Sequence, residues 1–253
     1  VYTHPDQTNN DYKIISLSSD SIINEQLSFQ ANAYYRQNKI NSINGDDSDY
    51  EDCDFGAGET LCEQDEEDGS LTMVNFVGYD EASLFSDISS IDADEVDGTL
   101  NDGATDNTSY GFATQLIHVT SVDRYEQEVI FGLGMDKADI NFNSNTQFGI
   151  LHNDSAEDDR SVSATGFFDG ESQVRLDVTT EQQYVFASYS MAFDQGLTLN
   201  IAGRYNNSHI IMNDIIDDGE GSLDGNHKFH RFNPAVGLDY QINNEFTAKL
   251  SYS

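Results

Sequence analysis

The chain is poor in basic side chains, with 11 lysines and arginines against 46 aspartates and glutamates over 253 residues. The formal net charge is -35 at pH 7. A surface this negative repels phosphate backbones and anionic membrane surfaces. The composition therefore argues against nucleic acid as a partner.

The chain also lacks tryptophan and has a mean hydropathy of -0.54. Low hydropathy combined with a high net charge is typical of disordered proteins. However, 15 phenylalanines and 13 tyrosines are present, and they recur in regular alternating runs, whereas disordered chains have few aromatics. We therefore expect a folded protein.

No long apolar run is present. A transmembrane helix needs about 20 consecutive apolar residues, and no segment approaches that length. The first residues, Val1 to Pro5, have neither the basic nor the apolar region of a signal peptide. On this basis we expect either a mature protein or a fragment of a longer one.

Only two cysteines occur, Cys53 and Cys62, close together in an acidic, glycine-containing segment. We predict a small loop-closing disulfide formed in an oxidising compartment. The alternative is a pair of unrelated thiols. No further cysteine or histidine lies nearby to complete a zinc site.

The main structural signal in the sequence is the alternation of apolar and polar residues with a period of two. In 26–38, Leu27, Phe29 and Ala31 fall on one face, opposite Ser28 and Gln30 on the other. The same pattern is clear in 128–137, 197–206, 232–242 and 246–253, and weaker in 12–19, 108–119 and 183–193. The apolar face of 108–119 is ambiguous. These segments predict eight strands, several of the length that a membrane-spanning strand needs.

The connections between these strands alternate between short and long. Short turns are predicted near 20–25, 120–126, 194–196 and 243–245, and long loops at about 43–107, 143–182 and 213–227. Outer-membrane barrels have this arrangement, with short periplasmic turns and long extracellular loops. Loops of this length are rare in compact soluble domains. The alternation therefore predicts an antiparallel transmembrane β-barrel.

Charge is distributed unevenly along the chain. There is no lysine or arginine between Ile40 and Asp123, and residues 43–106 contain 21 of the 46 acidic side chains. Within the strands, Arg36, Arg204 and Lys249 fall on the polar face. We expect that face to line a solvated lumen, because a charge facing lipid would cost about 2–4 kcal/mol near the midplane.

Several motifs resemble segments of TonB-dependent receptor barrels, in the order expected for that family. They are Asn32-Ala33-Tyr34-Tyr35-Arg36, then Asn44-Gly45-Asp46-Asp47-Ser48-Asp49 before the cysteine segment, then Asn107-Thr108-Ser109-Tyr110-Gly111, then Gly203-Arg204-Tyr205-Asn206, and finally 225–238. That final segment, GNHKFHRFNPAVGL, is the most specific match. The resemblance extends over nearly the whole chain.

The resemblance implies an outer-membrane receptor of a Gram-negative bacterium that imports iron–siderophore complexes, cobalamin or a similar scarce nutrient. Such receptors have about 22 strands around an N-terminal plug, and the TonB protein supplies the energy. With about eight strands, no plug and a C-terminus inside a strand, residues 1–253 are interpreted as a partial barrel domain lacking the plug and the C-terminal strands. The implied partners are outer-membrane lipid, the nutrient, and the plug and TonB through the missing N-terminal part.

Within such a barrel, four side chains are predicted to face the lumen: Tyr34, Arg36, Asn38 and Arg204. They could contact the nutrient or the plug. Alternatively, they form a hydrogen-bonded interior wall. Arg231, near the rim, has the same two interpretations.

Acidic and histidine clusters offer weaker candidates for cation binding. The segment with Asp92, Asp94, Asp97 and Gly98 approaches a calcium loop, but its spacing is off by one residue and no closing glutamate follows. Asp46, Asp47 and Asp49 form a second cluster, and a solvated acidic surface explains both. His227 and His230 are three apart, which places them on opposite faces of a strand, and His209 is nearby in sequence. We predict no metal and no cofactor.

No catalytic motif is found. The chain has no nucleophile elbow, no zinc-protease helix and no phosphate-binding glycine loop, so we predict that it is not an enzyme. The main alternative to a transport receptor is a secreted acidic β-sandwich or adhesin module that binds calcium or a surface polymer. A passive porin-type barrel is a third possibility.

Overall fold

Long antiparallel strands dominate the protein, whose structure is a computed structural model. It describes residues 3–48, 50–54, 59–64, 70–74, 76–78, 84–85, 96–122, 124–152, 160–216, 222–243 and 245–253. The strands are β1 (Asp6–Ile22), β2 (Leu27–Asp47), β3 (Tyr50–Asp54), β4 (Glu59–Gln64), β5 (Leu71–Met73), β6 (Phe76–Gly78), β7 (Leu84–Phe85), β8 (Gly98–Val122), β9 (Tyr125–Leu151), β10 (Val162–Asp169), β11 (Val174–Phe193), β12 (Leu197–Asp214), β13 (Gly225–Gln241) and β14 (Thr247–Tyr252). Among these residues there is no helix long and apolar enough to cross a membrane.

Eleven of these strands form one sheet, whose main path of eight strands is β1-β2-β8-β9-β11-β12-β13-β14; off this path, β10 pairs with β9 and β6, and β6 pairs with β7. Each is antiparallel to its neighbours, as in β8 and β9, which pair from Gly98↔Gly149 to Val122↔Tyr125. The eight predicted strands are therefore confirmed, and so is the antiparallel barrel architecture. The eight strands form a single layer, not the two facing sheets of a sandwich. Among the described residues, β1 and β14 do not pair with each other.

Short turns join the strands at one end of the sheet. Asn24 Oδ1 accepts hydrogen bonds from the backbone N–H groups of Gln26 and Leu27, both at 2.9 Å. Asn243 Oδ1 binds the N–H groups of Glu245 and Phe246 in the same way, at 2.8 and 2.9 Å. Asparagine side chains close tight turns by this route. A third turn, 194–196, ends on Gly196, whose φ of 77° favours glycine.

At the opposite end of the sheet, the strands extend into segments that the sequence predicted to be loops. β8 begins at Gly98, β9 continues to Leu151 and β11 begins at Val174, so the loop bounds 43–107 and 143–182 were too wide. The predicted loop 213–227 was also too wide, because β12 ends at Asp214 and β13 begins at Gly225. In these extensions polar side chains lie on both faces, and the apolar residues that remain, such as Leu100, Phe148 and Leu151, do not regularly continue the alternation of the predicted strands. The backbone pairing continues although that apolar alternation stops.

The pairing register defines two faces of the sheet. Tyr110, Phe112 and Leu116 of β8 lie on the face that also carries Phe131 and Leu133 of β9, which resolves the ambiguity of 108–119. We call the turn-proximal part of this face the apolar belt. It contains Leu27–Tyr35 of β2 and Leu197–Tyr205 of β12 at alternate positions, and many of its side chains are exposed. The opposite side is the polar face.

Buried apolar side chains are found at the loop end. Leu61, Val74, Val96 and Phe148 form one cluster, with Tyr50 and Phe167 packed against it. Leu100, Leu151 and Val162 form a second, with Ile43. A small three-stranded sheet, β3-β4-β5, contributes Leu61. We call β3–β5 with Val74 and Val96 the loop-end lobe; it packs on the ends of β9 and β10.

Candidate functional site on the polar face

Tyr34 and Asp136 form the centre of the polar face, although they lie on strands that do not pair directly. Tyr34 of β2 is opposite Gly111 of β8, and Gly111 is opposite Asp136 of β9. Because Gly111 has no side chain, the Tyr34 ring extends over it, and its hydroxyl donates to Asp136 Oδ1 at 2.7 Å. A Cβ at position 111 would lie 2.8 Å from Tyr34 Cε1, so no larger residue fits there without displacing the ring.

Two further glycines on β9 are covered in the same way. Gly134 is opposite Tyr184 and Gly132 is opposite Phe186, and in each case the aromatic ring occupies the space that a Cβ would need. Glycine paired with an aromatic is a known way of stabilising a strand that glycine alone would weaken. The Tyr184 and Phe186 rings are neighbours on this face, with centroids 6.4 Å apart and planes inclined at 32°.

Arg36 lies beside Tyr34 on β2. Its Nε donates to Ser109 Oγ at 2.9 Å, and its guanidinium carbon lies 6.0 Å from the centroid of the Tyr34 ring. Ser109 is almost fully buried, at 2 % exposed. The pairing fixes the position of the arginine, since a hydrogen bond from a charged donor contributes about 1.5–3 kcal/mol.

Arg204 of β12 stacks on Tyr184, with its guanidinium carbon 3.9 Å from the ring centroid. Its Nε donates to Asn206 Oδ1 at 2.8 Å. Tyr184 also lines a hollow of about 480 Å³ together with Tyr34 and Asp136. The structure thus brings Arg204 to the same surface as Tyr34 and Arg36, through Tyr184.

Asn38 lies next along β2 and is directly opposite Asn107. The Oδ1 atoms of both asparagines are buried and have no hydrogen-bond partner among the described residues. A buried acceptor without a partner costs about 1–3 kcal/mol. This pair therefore marks a place where a donor from a water molecule or a neighbouring side chain would be stabilising.

Sequence reasoning placed Tyr34, Arg36, Asn38 and Arg204 on one face but did not identify their partners Ser109, Asp136 and Tyr184. The register between distant strands determines these contacts. One signal was available. Gly132 and Gly134 alternate on the polar side of 128–137, and such glycines indicate the close approach of a neighbouring group.

Both arginines use Nε in the hydrogen bonds described above. A guanidinium has five N–H donors, so the terminal nitrogens are candidate donors to an anionic or carbonyl group above the face. The neighbouring side chains are tyrosines, amides and a carboxylate. The arrangement can bind and orient a polar ligand or another part of the protein.

The remaining candidates lie elsewhere. His227 and His230 are on opposite faces of β13, and His209 Nε2 lies 2.8 Å from Asn226 Oδ1. Asp97 Oδ1 accepts from the Leu151 N–H at 2.7 Å, whereas Asp49, Asp92 and Asp94 lie outside the described residues. No group of three potential metal ligands occurs within the described part of the chain.

Cys53 and Cys62 lie on paired strands β3 and β4 of the loop-end lobe. The structure joins them in a disulfide, with their Cα atoms 6.0 Å apart. Both side chains are buried, next to Leu61 of the lobe's apolar cluster.

Comparison with known proteins identifies one family and several similar structures. The family model described as TonB dependent receptor-like, beta-barrel matches residues 1–253. The structure is similar to the ferric citrate transporter FecA in its unliganded form, with a TM-score of 0.62 at 10% identity over 97% of this chain and 27% of that one. No curated protein sequence matches.

Two more solved structures share the fold. The ferric-catecholate import receptor Fiu from E. coli K12, in its open form, gives a TM-score of 0.61 at 12% identity over 99% of this chain and 36% of that one. The siderophore receptor PiuA from Acinetobacter baumannii gives 0.57 at 10% identity, over 94% and 31%. The chain thus spans about a third of the length of these proteins. At such low identity the similarity shows the fold alone.

Proposed function

The chain belongs to the TonB-dependent receptor family, as part of its β-barrel, and from this premise we propose that it is a section of an outer-membrane receptor importing an iron–siderophore complex or a similar scarce nutrient. The plug and TonB, which would couple import to energy, are partners through parts of the receptor outside this chain. The observation that supports the proposal most directly is the family match over residues 1–253. By their descriptions, the three similar structures are a ferric citrate transporter, a ferric-catecholate import receptor and a siderophore receptor.

The dimensions of the apolar belt support a position in the outer membrane. Nine residues, as in Leu27–Tyr35 or Leu197–Tyr205, extend about 30 Å along a strand at about 3.3 Å each. A strand tilt near 40° reduces this to about 23 Å, close to the apolar band of about 25 Å on outer-membrane barrels. Exposed belt side chains such as Phe131, Ile201 and Phe232 would then contact lipid.

The polar face would line the lumen. Its contacts leave Arg36 and Arg204 held in fixed positions on aromatic and hydroxyl partners, so their guanidiniums are preorganised and do not need to be ordered when a ligand arrives. Iron–siderophore complexes carry carboxylate or catecholate oxygens, which match guanidinium donors. The same side chains would also suit contact with the plug.

Uptake by the intact receptor tests this proposal. Cells of the host that carry the receptor gene, and matched cells lacking it or lacking TonB, are given siderophores loaded with radioactive iron. We expect uptake of one siderophore to require both the receptor and TonB. Accumulation that is the same in all three strains for every siderophore and cobalamin compound offered would overturn the proposal.

The role of the lumen residues is tested by an Arg36→Ala, Arg204→Ala double variant of the intact receptor. Loss of charge-assisted hydrogen bonds should raise the half-saturating ligand concentration about tenfold or more. Arg124→Ala is the matched control, because Arg124 lies in the turn after β8, away from the polar face. A double variant that binds ligand as tightly as the control would limit both arginines to a structural role.

A further inference from the structure

The apolar side chains change face beyond the apolar belt. On β9, β11 and β12 the belt residues are at odd positions, such as Leu133, Val185 and Ile201. Nearer the loop end, the apolar residues of the same strands are mostly at even positions, which lie on the polar face with Asp136. We call this surface the inner apolar patch; it consists of Ile140, Phe142, Leu176, Val178, Ile210 and Met212.

The pairing register makes the patch continuous across three strands. Ile140 is opposite Val178, and Val178 is opposite Met212, so neighbouring Cβ atoms are about 4.5–5.5 Å apart. Met212 extends the patch over β13, because Gly225 leaves room for it: a Cβ at position 225 would lie 2.7 Å from Met212 Cε. The patch is thus about 10 Å wide across the strands and about 13 Å long along them.

The patch is separate from the belt and from the buried clusters of the loop end. Between its members, the outward positions carry mainly polar side chains, such as Asp139, Asn141 and Asp177, with Ile211 as an exception. In the described part of the chain, neither loop-end cluster contains a patch residue, and Phe142 is 36% exposed. An exposed, contiguous apolar surface inside a solvated lumen is typical of a binding site.

The chemistry of the patch fits a flexible alkyl chain. Its only side-chain atom that forms hydrogen bonds is the weakly accepting sulfur of Met212, and the backbone N–H and C=O groups of these strands are used in sheet pairing. A chelating group or an irregular peptide loop would leave polar atoms unpaired against such a surface. A hydrocarbon chain has no polar atoms, and methionine adapts readily to its shape.

A cationic group lies beside the patch on the same face. Arg36 is opposite Ser109, and Ser109 is opposite Ala138, which is two positions from Ile140. Arg36 is therefore two strand spacings, or about 10 Å, from the edge of the patch. Charge complementarity favours an anionic group at this arginine. A single ligand of moderate size reaches both the guanidinium and the patch.

We propose that the imported nutrient is amphiphilic: an iron chelator with anionic oxygen groups and a fatty acyl chain. The chain binds the inner apolar patch, and the anionic head binds Arg36. This inference rests on the proposed import function and deepens it by naming the class of substrate. Specificity for the chain then resides mainly in Val178 and Met212, at the centre of the patch.

The test measures uptake of chelators that differ only in the acyl chain. A trihydroxamate and a citrate-based chelator are each made with and without a dodecanoyl chain, loaded with radioactive iron and given to cells that carry the intact receptor. Uptake by cells lacking the receptor is subtracted.

A Val178→Thr, Met212→Gln double variant introduces polar atoms into the patch with little change of shape. Ile211→Gln is the matched control, because it makes the same kind of change on the outward side of β12. The amount of each receptor in the outer membrane and its heat-modifiable migration on gels show whether the variants fold.

We expect the wild type and Ile211→Gln to take up the acylated member of at least one pair at a half-saturating concentration about tenfold or more below that of its chain-free partner. The double variant should lose most of this difference, with uptake of the chain-free compound unchanged. Equal half-saturating concentrations within each pair in the wild type would overturn the inference, as would a chain preference that survives in the double variant. Receptor-dependent uptake of no chelator, acylated or not, would instead contradict the proposed function, and the inference with it.

Discussion

The two ends of the sheet differ in where their apolar side chains lie. In the loop-end region, Leu61 and Phe148 are fully buried in a cluster with Val96. At the belt, Phe131 is 51% exposed and Leu133 is 38% exposed. The belt is a single layer of strands, so its apolar side chains have no second protein layer among the described residues to pack against; in the proposed outer-membrane location they would contact lipid. The loop end would then project into water, where the hydrophobic effect favours a core of its own.

The comparison implies that the two ends respond differently to the same kind of change. Protein packing stabilises the loop end, whereas in the proposed outer-membrane location lipid would stabilise the belt. Each of the following predictions concerns the intact receptor and compares a substitution at one end with a matched one elsewhere.

Removal of a large core side chain from the loop end should have the largest effect. Phe148→Ala leaves a cavity among Leu61, Val74 and Tyr50, which contacts Phe148 edge-to-face at 5.0 Å. We expect the loop-end lobe to lose about 3–5 kcal/mol of stability, seen as faster hydrogen exchange in 59–64 and 70–74. Phe131→Ala in the belt is the control. In the proposed membrane location lipid would fill the space that Phe131 leaves, so equal loss of protection in both variants would contradict the difference between the two ends.

A charge placed on the belt should have the next largest effect. Leu133→Arg exposes a guanidinium to lipid, which costs about 2–4 kcal/mol near the midplane. The urea midpoint of the barrel, followed by heat-modifiable migration on gels, should fall. Ser188→Arg adds the same charge on the polar face of β11, where we expect a much smaller change. A larger fall for Ser188→Arg would mean that the two faces are assigned the wrong way round.

Loss of the disulfide should weaken the loop-end lobe and leave the belt unchanged. Cys53 and Cys62 are nine residues apart, and closing a loop of that size contributes about 2–3 kcal/mol in the chain-entropy model. The Cys53→Ser, Cys62→Ser double variant should be cut faster by protease within the lobe, and reductant should have the same effect on the wild type. Two titratable thiols in the untreated, natively folded receptor would show that the pair is not oxidised.

The smallest effect concerns the ion pair between Lys39 and Asp106, which lies beyond the belt. The hydrogen bond to Asp106 raises the pKa of Lys39 above its usual 10.5. Because the pKa of Lys39 is raised, the pair contributes its full stabilisation of the folded state at any pH below the ordinary lysine pKa. That contribution is lost as the pH rises through the raised pKa of Lys39. Stability of the wild type relative to Lys39→Met should be constant from neutral pH to about pH 10 and should fall above it. A change between pH 6 and 9 would contradict this assignment.

The alternating pattern was sufficient to predict the eight strands, the turns at 194–196 and 243–245, and the side of the sheet on which Tyr34, Arg36 and Arg204 lie. It succeeded because side-chain direction in a strand depends on position parity alone. It failed in three places. Strand ends beyond the belt were missed because their apolar residues no longer continue the alternation of the predicted strands regularly. The strands β3 to β7 were missed because they are short, and β10 lies within the segment 143–182 that was predicted to be a loop.

The sequence by itself determined the apolar belt, the polar face and the ends of the strands at the short turns, since these follow from local alternation and turn residues. Only the tertiary structure decided which residues meet across strands. The contact of Tyr34 with Asp136 spans 102 positions in the chain and depends on Gly111 lying between them. The register that aligns three strands is a property of the whole sheet, because a shift of one residue would turn every side chain to the opposite face.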